Sequence, residues 1–302
     1  MRTRFAFVHV PKSAGSSIKH AVASRCEPGT VAPRQLDRVL FGGFDRFTSM
    51  PSHTLDTIAV HGGGDLTGFD VAMGHFGINS FRRHFALDEI MTVLREPRSR
   101  LLSLRTFWGS WSAERHADWD PYDASRRAAD SSWEAFLTAP ALASQTDNLV
   151  ARMLVSPHVK VPLDGFIDPD DYEEIFDIAR AVLDDLGFCD VVESGAALWS
   201  GLSEWLDCPI EAERSLVTQV PPGTEWSSSI TSLSERALSQ RTSIDARLWQ
   251  LAAARHADDV EALANATFHR KLASVAAATP PPLPVEHSQL TLSQRWAQRL
   301  RR

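Results

Sequence analysis

One lysine stands where an apolar run breaks into small and hydroxylated residues. Phe5-Ala6-Phe7-Val8-His9-Val10 leads straight into Pro11-Lys12-Ser13-Ala14-Gly15-Ser16-Ser17, and a helical pattern follows. A strand that turns into a helix in this way aims backbone N–H groups beyond the helix N-terminus, where they and the helix dipole favour an anion. The residue order narrows the choice of anion. A loop for a nucleoside triphosphate and magnesium reads Gly-x-x-x-x-Gly-Lys-Ser/Thr, whereas here Lys12 precedes Gly15 and no Gly-Lys pair occurs in the chain. The second constellation is Arg95-Glu96-Pro97-Arg98-Ser99-Arg100-Leu101-Leu102-Ser103. Arg95 closes an apolar run and Ser103 falls two helical turns further on, so a planar guanidinium and a hydroxyl can clamp a second phosphate. Two separate anion sites in one pair of short chain segments are an unusual demand.

Such residues need a frame that brings strand ends to one edge. Ile18, Ala21, Val22 and Cys26 fall at helical spacing and predict a first helix from about Ser16 to Arg25. Strands are expected over Thr57–Val60, Val71–Met73 and Ile90–Arg95. Pro97 suits the first turn of a helix whose apolar face is Leu101, Leu102, Leu104 and Phe107. This alternation predicts an α/β fold, a P-loop-like parallel β-sheet flanked by α-helices, whose strand carboxyl ends face one crevice. The C-terminal half reads as mostly helical: a helix from Asp168-Pro169 to a stop at Gly187, one over Ser194–Leu206, and one from Ser243 to about Lys271. A last strand is expected over Phe188–Val192, and no internal repeat is visible. Residues 1–278 are expected to form one domain, and 279–302 a proline-rich linker with a basic tail.

Composition removes several function classes. A formal charge of −7 argues against general nucleic-acid binding, which needs a basic surface. Cys26, Cys189 and Cys208 lie far apart without metal-ligand spacing and read as reduced thiols. No apolar run is long enough to span a membrane, and the first strand starts too near Met1 to leave room for a signal peptide, so a cytoplasmic protein is expected. Peripheral contact of the tail with an anionic membrane surface is the weaker expectation beside a solvated terminus.

The segment Val8 to Ser17 resembles the 5′-phosphosulfate loop of sulfotransferases that use 3′-phosphoadenosine 5′-phosphosulfate (PAPS). The likeness is to the carbohydrate branch that contains heparan sulfate 2-O-sulfotransferase. Thr92-Val93-Leu94-Arg95-Glu96-Pro97, with Arg100-Leu101 and Ser103, is similar to that family's 3′-phosphate segment. Met73-Gly74-His75-Phe76 sits where the branch carries a Gly-His pair with a catalytic histidine. Asp147 to Arg152 and Leu186 to Trp205 resemble looser family segments, so the likeness covers roughly residues 4–270. Ser13 and Ser16 stand where the family often has threonine, and Glu96 replaces its usual aspartate. Animal relatives carry a membrane anchor that this sequence does not show, which points to a soluble, bacterial-type enzyme.

The resemblance implies transfer of a sulfuryl group from PAPS to a hydroxyl of a sugar, glycolipid or secondary metabolite, with PAP as product and no metal. Pro11, Lys12, Ser13, Ala14, Gly15, Ser16 and Ser17 would hold the 5′ end of the donor, through the amides of 13–17 and the hydroxyls of Ser16 and Ser17. Arg95 and Ser103 would hold the 3′ phosphate. Lys12 would stabilise charge on the departing PAP, and His75 would take the acceptor proton, since imidazole titrates near neutrality.

Two rivals fit part of this pattern. An ATP-dependent small-molecule kinase on a related fold lacks its Gly-Lys-Ser/Thr element here. A non-catalytic PAP-binding or membrane-surface module has no use for both Lys12 and His75. Of the other histidines, His9 reads as packing beside the loop, His20 lies on the first helix and His61 precedes a glycine turn. Trp108, Trp111, Trp119 and Trp133 fall in a polar, loop-like region and read as packing ahead of acceptor stacking. Asn148 and Arg152 fit ligand contact and helix surface equally. Acceptor contacts are expected from loops 27–55, 106–130 and 219–230.

Overall fold

The structure is a computed structural model and describes residues 2–27, 29–32, 37, 40, 66–118, 124–212 and 232–276. Its centre is one parallel sheet of four strands, β1 Phe5–Val8, β2 Val71–Gly74, β3 Ile90–Leu94 and β4 Phe188–Val191, in the order β2-β1-β3-β4. The expected α/β architecture with a mostly helical C-terminal half is what the chain adopts. Strands this short and this apolar hold only when both faces are covered.

The helices are α1 Gly15–Ala23, α2 Ile78–Phe81, α3 Pro97–Gly109, α4 Ala113–Asp118, α5 Ala124–Asp130, α6 Trp133–Thr138, α7 Ala143–Thr146 and α8 Leu149–Val155. After them come α9 Tyr172–Asp185, α10 Ala196–Leu206, α11 Ser232–Arg241, α12 Ser243–Ala253 and α13 Val260–Ala276. Because strand side chains alternate, the sheet feeds two cores. Phe5, Phe7, Val71, Met73, Met91 and Val93 pack with Ile18 and Val22 of α1 and with Leu198, Leu202 and Leu206 of α10. Ala6, Val8, Ala72, Ile90 and Leu94 join the larger core, with Leu101 and Leu102 of α3, Met153 of α8 and Leu248 of α12. At about 1.5–3 kcal/mol for each fully buried large apolar side chain, this packing rather than strand length holds the sheet.

Several boundaries differ from the sequence reading. The helix expected from Ser243 to Lys271 is two, because the chain leaves α12 at Ala253 and Asp259 starts a new helix by accepting from the Ala262 amide at 2.8 Å. The 106–130 stretch is not loop-like: α3, α4 and α5 occupy most of it, and Trp108 and Trp133 are buried in the core. The strand expected at Thr57–Val60, His61, Trp119, loop 219–230, most of loop 27–55 and the tail 279–302 lie outside the described residues. Among the described residues no helix is long and apolar enough to cross a membrane, and the three cysteines are unpaired.

Candidate functional site

The register of the sheet builds the site. Val8 pairs with both Gly74 and Thr92, so the segments after β1, β2 and β3 leave the same edge. The chain passes from β1 to β2 on one side and then to β3 on the other, which places a topological switch point beside β1, where open α/β sheets bind ligands. Two bonds tie that edge together. Thr92 Oγ1 donates to the Val8 carbonyl at 2.9 Å, and Arg95 Nη1, at the end of β3, donates to the Lys12 carbonyl at 3.1 Å.

The loop between β1 and α1 is bent in an uncommon way. Lys12 and Ala14 both adopt left-handed backbone, with φ of 70° and 56°, although neither is glycine. Each such residue costs on the order of 1–3 kcal/mol, a strain that concentrates at functional sites. Left-handed residues alternating with Ser13 curl the backbone into the concave nest that binds anions. The Ser13 amide donates to Val10 at 3.2 Å and the Ser17 amide to Ala14 at 3.0 Å. The expected amide set of 13–17 therefore shrinks to 14–16, in the first turn, where no intrahelical carbonyl is in reach. The Ser13 hydroxyl is buried without a partner, Ser16 is exposed and Ser17 half-buried. Gly15 leaves no room for a side chain, since a Cβ there would sit 1.8 Å from the His9 ring. Pro11 is buried.

Cations gather around this nest. The Lys12 ammonium lies 4.0 Å from the centre of the Phe107 ring on α3. Burial, and then Arg95, Lys271 and Arg115, bring its pKa down to about 8. Lys271, on α13, is lowered to about 8 by burial and by Arg95. Burial also lowers Arg95, against the pull of Glu193 and Glu96. Arg115 stacks 4.3 Å from Trp111 and 5.4 Å from Phe107. The approach of α13 is fixed by Arg98, which donates to Asn265 at 3.2 Å and lies 4.7 Å from the Phe268 ring.

Ser103 is buried in α3, and one turn nearer the helix start the Ser99 hydroxyl is buried without a partner. Glu96 proves to be the N-cap of α3, accepting from the Ser99 amide at 2.7 Å and pairing with Arg98 at 2.6 Å. Lys271 and Ser99 escaped the sequence reading. The signal available for Lys271 was its rarity, as one of only four lysines; Ser99 had none.

His75 follows β2 directly, and its Nδ1 lies 2.6 Å from the His9 carbonyl oxygen. A carbonyl only accepts, so Nδ1 carries the proton and Nε2 is the basic nitrogen. The His9 ring is packed beside the loop, 4.2 Å from the His75 ring and stacked on Phe7 at 5.5 Å. His20 lies on α1, as expected.

Asn148 and Arg152 are not helix-surface residues: both are buried, and their polar atoms are taken up by the protein itself. Arg152 pairs with Asp147 at 2.6 Å and donates to the carbonyls of Pro162 and Gly165. Asn148 Oδ1 accepts from the amides of Ile244 and Asp245, while the Asp245 carboxylate accepts from those of Val150 and Ala151. Each side chain caps the other's helix, so α8 and α12 are locked end to end. Compared with protein-family models, curated proteins and solved structures, the chain matches none.

Proposed function

We propose that this crevice moves a sulfuryl group from PAPS to an acceptor hydroxyl in the cytoplasm. The observation that carries the reading is an imidazole held with Nε2 basic beside an anion nest rimmed by Lys12, Arg95 and Lys271. A module that only bound PAP would need the nest but not the oriented base. In the proposed step the acceptor oxygen bonds to sulfur as the bond from sulfur to the 5′-phosphate oxygen breaks. The acceptor proton passes to His75 Nε2, and the electron pair leaves on PAP, where Lys12 meets the charge. Amides 14–16 with Ser16 and Ser17 suit the 5′ phosphate; Arg95, Lys271, Ser99 and Ser103 suit the 3′ phosphate. Lysine, amides and arginine provide the stabilisation in this scheme, with no metal invoked. The acceptor is a hydroxylated small molecule or glycan.

Thermal unfolding with PAP tests the reading. A ligand at a hundredfold excess over its dissociation constant stabilises the fold by about 2.7 kcal/mol. A clear shift with PAP and little with Mg-ATP is expected; the reverse points to a kinase and overturns the proposal. Lys12→Ala and His75→Ala should each remove most transfer from PAPS, with PAP binding nearly unchanged in His75→Ala. Normal turnover by His75→Ala would take the histidine out of the mechanism.

A further inference from the structure

Ser99, Ser103 and Phe107 follow one another at four-residue intervals, so they share one face of α3. At the last turn of the helix that face meets the loop between β1 and α1. There the Lys12 ammonium lies 4.0 Å from the centre of the Phe107 ring. Phe107 is half-buried and packs on the larger core, as does Trp111. The two rings stand edge to face, with centres 5.5 Å apart and an interplanar angle of 84°, which fixes the direction in which the Phe107 face looks. Arg115 of α4 lies over the same pair, 4.3 Å from Trp111 and 5.4 Å from Phe107. One aromatic pair therefore holds two cations side by side. Burial acts first to strip Lys12 of its proton, and like charge then presses on it from Arg95 at the end of β3, Lys271 on α13 and Arg115 on α4.

We infer that Phe107 is a positioning residue for Lys12: the face of its ring holds the ammonium beside the nest in its charged form, ready for the 5′ end of the donor. The inference rests on the sulfuryl-transfer reading for what Lys12 does there. A ring face attracts a cation through its quadrupole and carries no net charge. A carboxylate in the same place would hold the ammonium more tightly, but it would also repel the incoming anion and compete with it. The ring keeps the proton on Lys12 against its cationic neighbours and leaves the whole positive charge to the leaving group. Phe107 thereby sets the alkaline limit of the site. Without it Lys12 deprotonates at lower pH, and its hold on PAP goes with the proton.

Lys12 can be read directly, because the chain has only four lysines, Lys12, Lys19, Lys160 and Lys271. In protein carrying lysine labelled with nitrogen-15 at Nζ, the Lys12 resonance is assigned by its loss in Lys12→Arg, and its shift is followed by NMR across the pH range. Phenylalanine with one, two and three ring fluorines is placed at position 107; fluorine drains the ring face of charge and leaves its shape nearly unchanged, so these proteins should fold as the wild type does. The Lys12 pKa is expected to fall stepwise along the series and furthest in Phe107→Leu, by about 0.4–1.5 pH units for the whole contact. Phe107→Tyr should restore the wild-type value, and Lys160 should not move. The thermal shift with PAP should fade at lower pH in the same order. A Lys12 pKa that is unchanged across the series and in Phe107→Leu would overturn the inference, as would a PAP shift whose pH dependence is the same in every variant. A stepwise fall in a protein that PAP stabilises at no pH would leave the ring's hold on Lys12 standing and remove the donor reading.

Discussion

Lys12 and Lys271 share Arg95 as a like-charged neighbour, and both are pulled down to about 8. In an unfolded chain a lysine titrates near 10.4. Below pH 8 both states hold the proton; between about 8 and 10.4 the unfolded state binds more protons, so stability rises with pH in that window. The free protein is expected to gain melting temperature there, and Lys271→Met to reduce the gain. On the proposed reading the phosphates of PAP would reverse the repulsion and restore the protons, so the shift with PAP is expected to be largest below pH 8 and to shrink above it. Scanning fluorimetry from pH 7 to 10 reads both effects. A charge-assisted contact is worth about 1.5–3 kcal/mol, so Lys271→Ala should weaken PAP binding roughly 10- to 100-fold, measured by calorimetry. At Gly15 the effect is steric. Gly15→Ala must displace the His9 ring, at about 1–3 kcal/mol for overpacking. His75 keeps its bond to the His9 carbonyl but loses the packing of the His9 ring against its own, so transfer should fall further than stability does.

Helix ends matter as much as helix faces in this fold. Because Asn148 and Asp245 cap each other's helices, Asn148→Ala should cost about 0.5–2 kcal/mol in chemical denaturation and leave PAP affinity unchanged. A drop in PAP affinity instead would return Asn148 to the site. This lock also shows where sequence reading stops. β1, β3 and the start of α3 were legible because apolar runs there are bounded by Pro11 and Pro97, and the loop between β1 and α1 was legible from its residue order. Reciprocal capping joins residues on separate helices, and neither Asn148 nor Asp245 announces its partner. The same holds for Lys271, which reaches the nest because Arg98 and the buried Ala264, Phe268 and Val275 hold α13 in place. The left-handed turns at Lys12 and Ala14 were hidden for another reason, since the usual marker for such backbone is glycine.

Taken whole, the protein carries a formal charge of −7 around a crevice that is locally cationic. Repulsion from the distant surface and attraction from the crevice act on the same incoming anion, and salt screens both, the Debye length falling from about 10 Å at 0.1 M to about 3 Å at 1 M. The half-buried cations dominate at contact, so PAP binding is expected to weaken as salt rises; tightening would mean that the surface charge governs. The pairing pattern of the sheet has a consequence in time. Residue 5 pairs with 71 and residue 6 with 90, while β4 begins at residue 188. The strand leading into the loop is therefore made long before its neighbours, and the last wall, on α13, arrives later still. A donor analogue has nothing complete to hold while the chain is assembling and cannot act as a template. It should slow unfolding while leaving the refolding rate unchanged, as contacts formed after the transition state do.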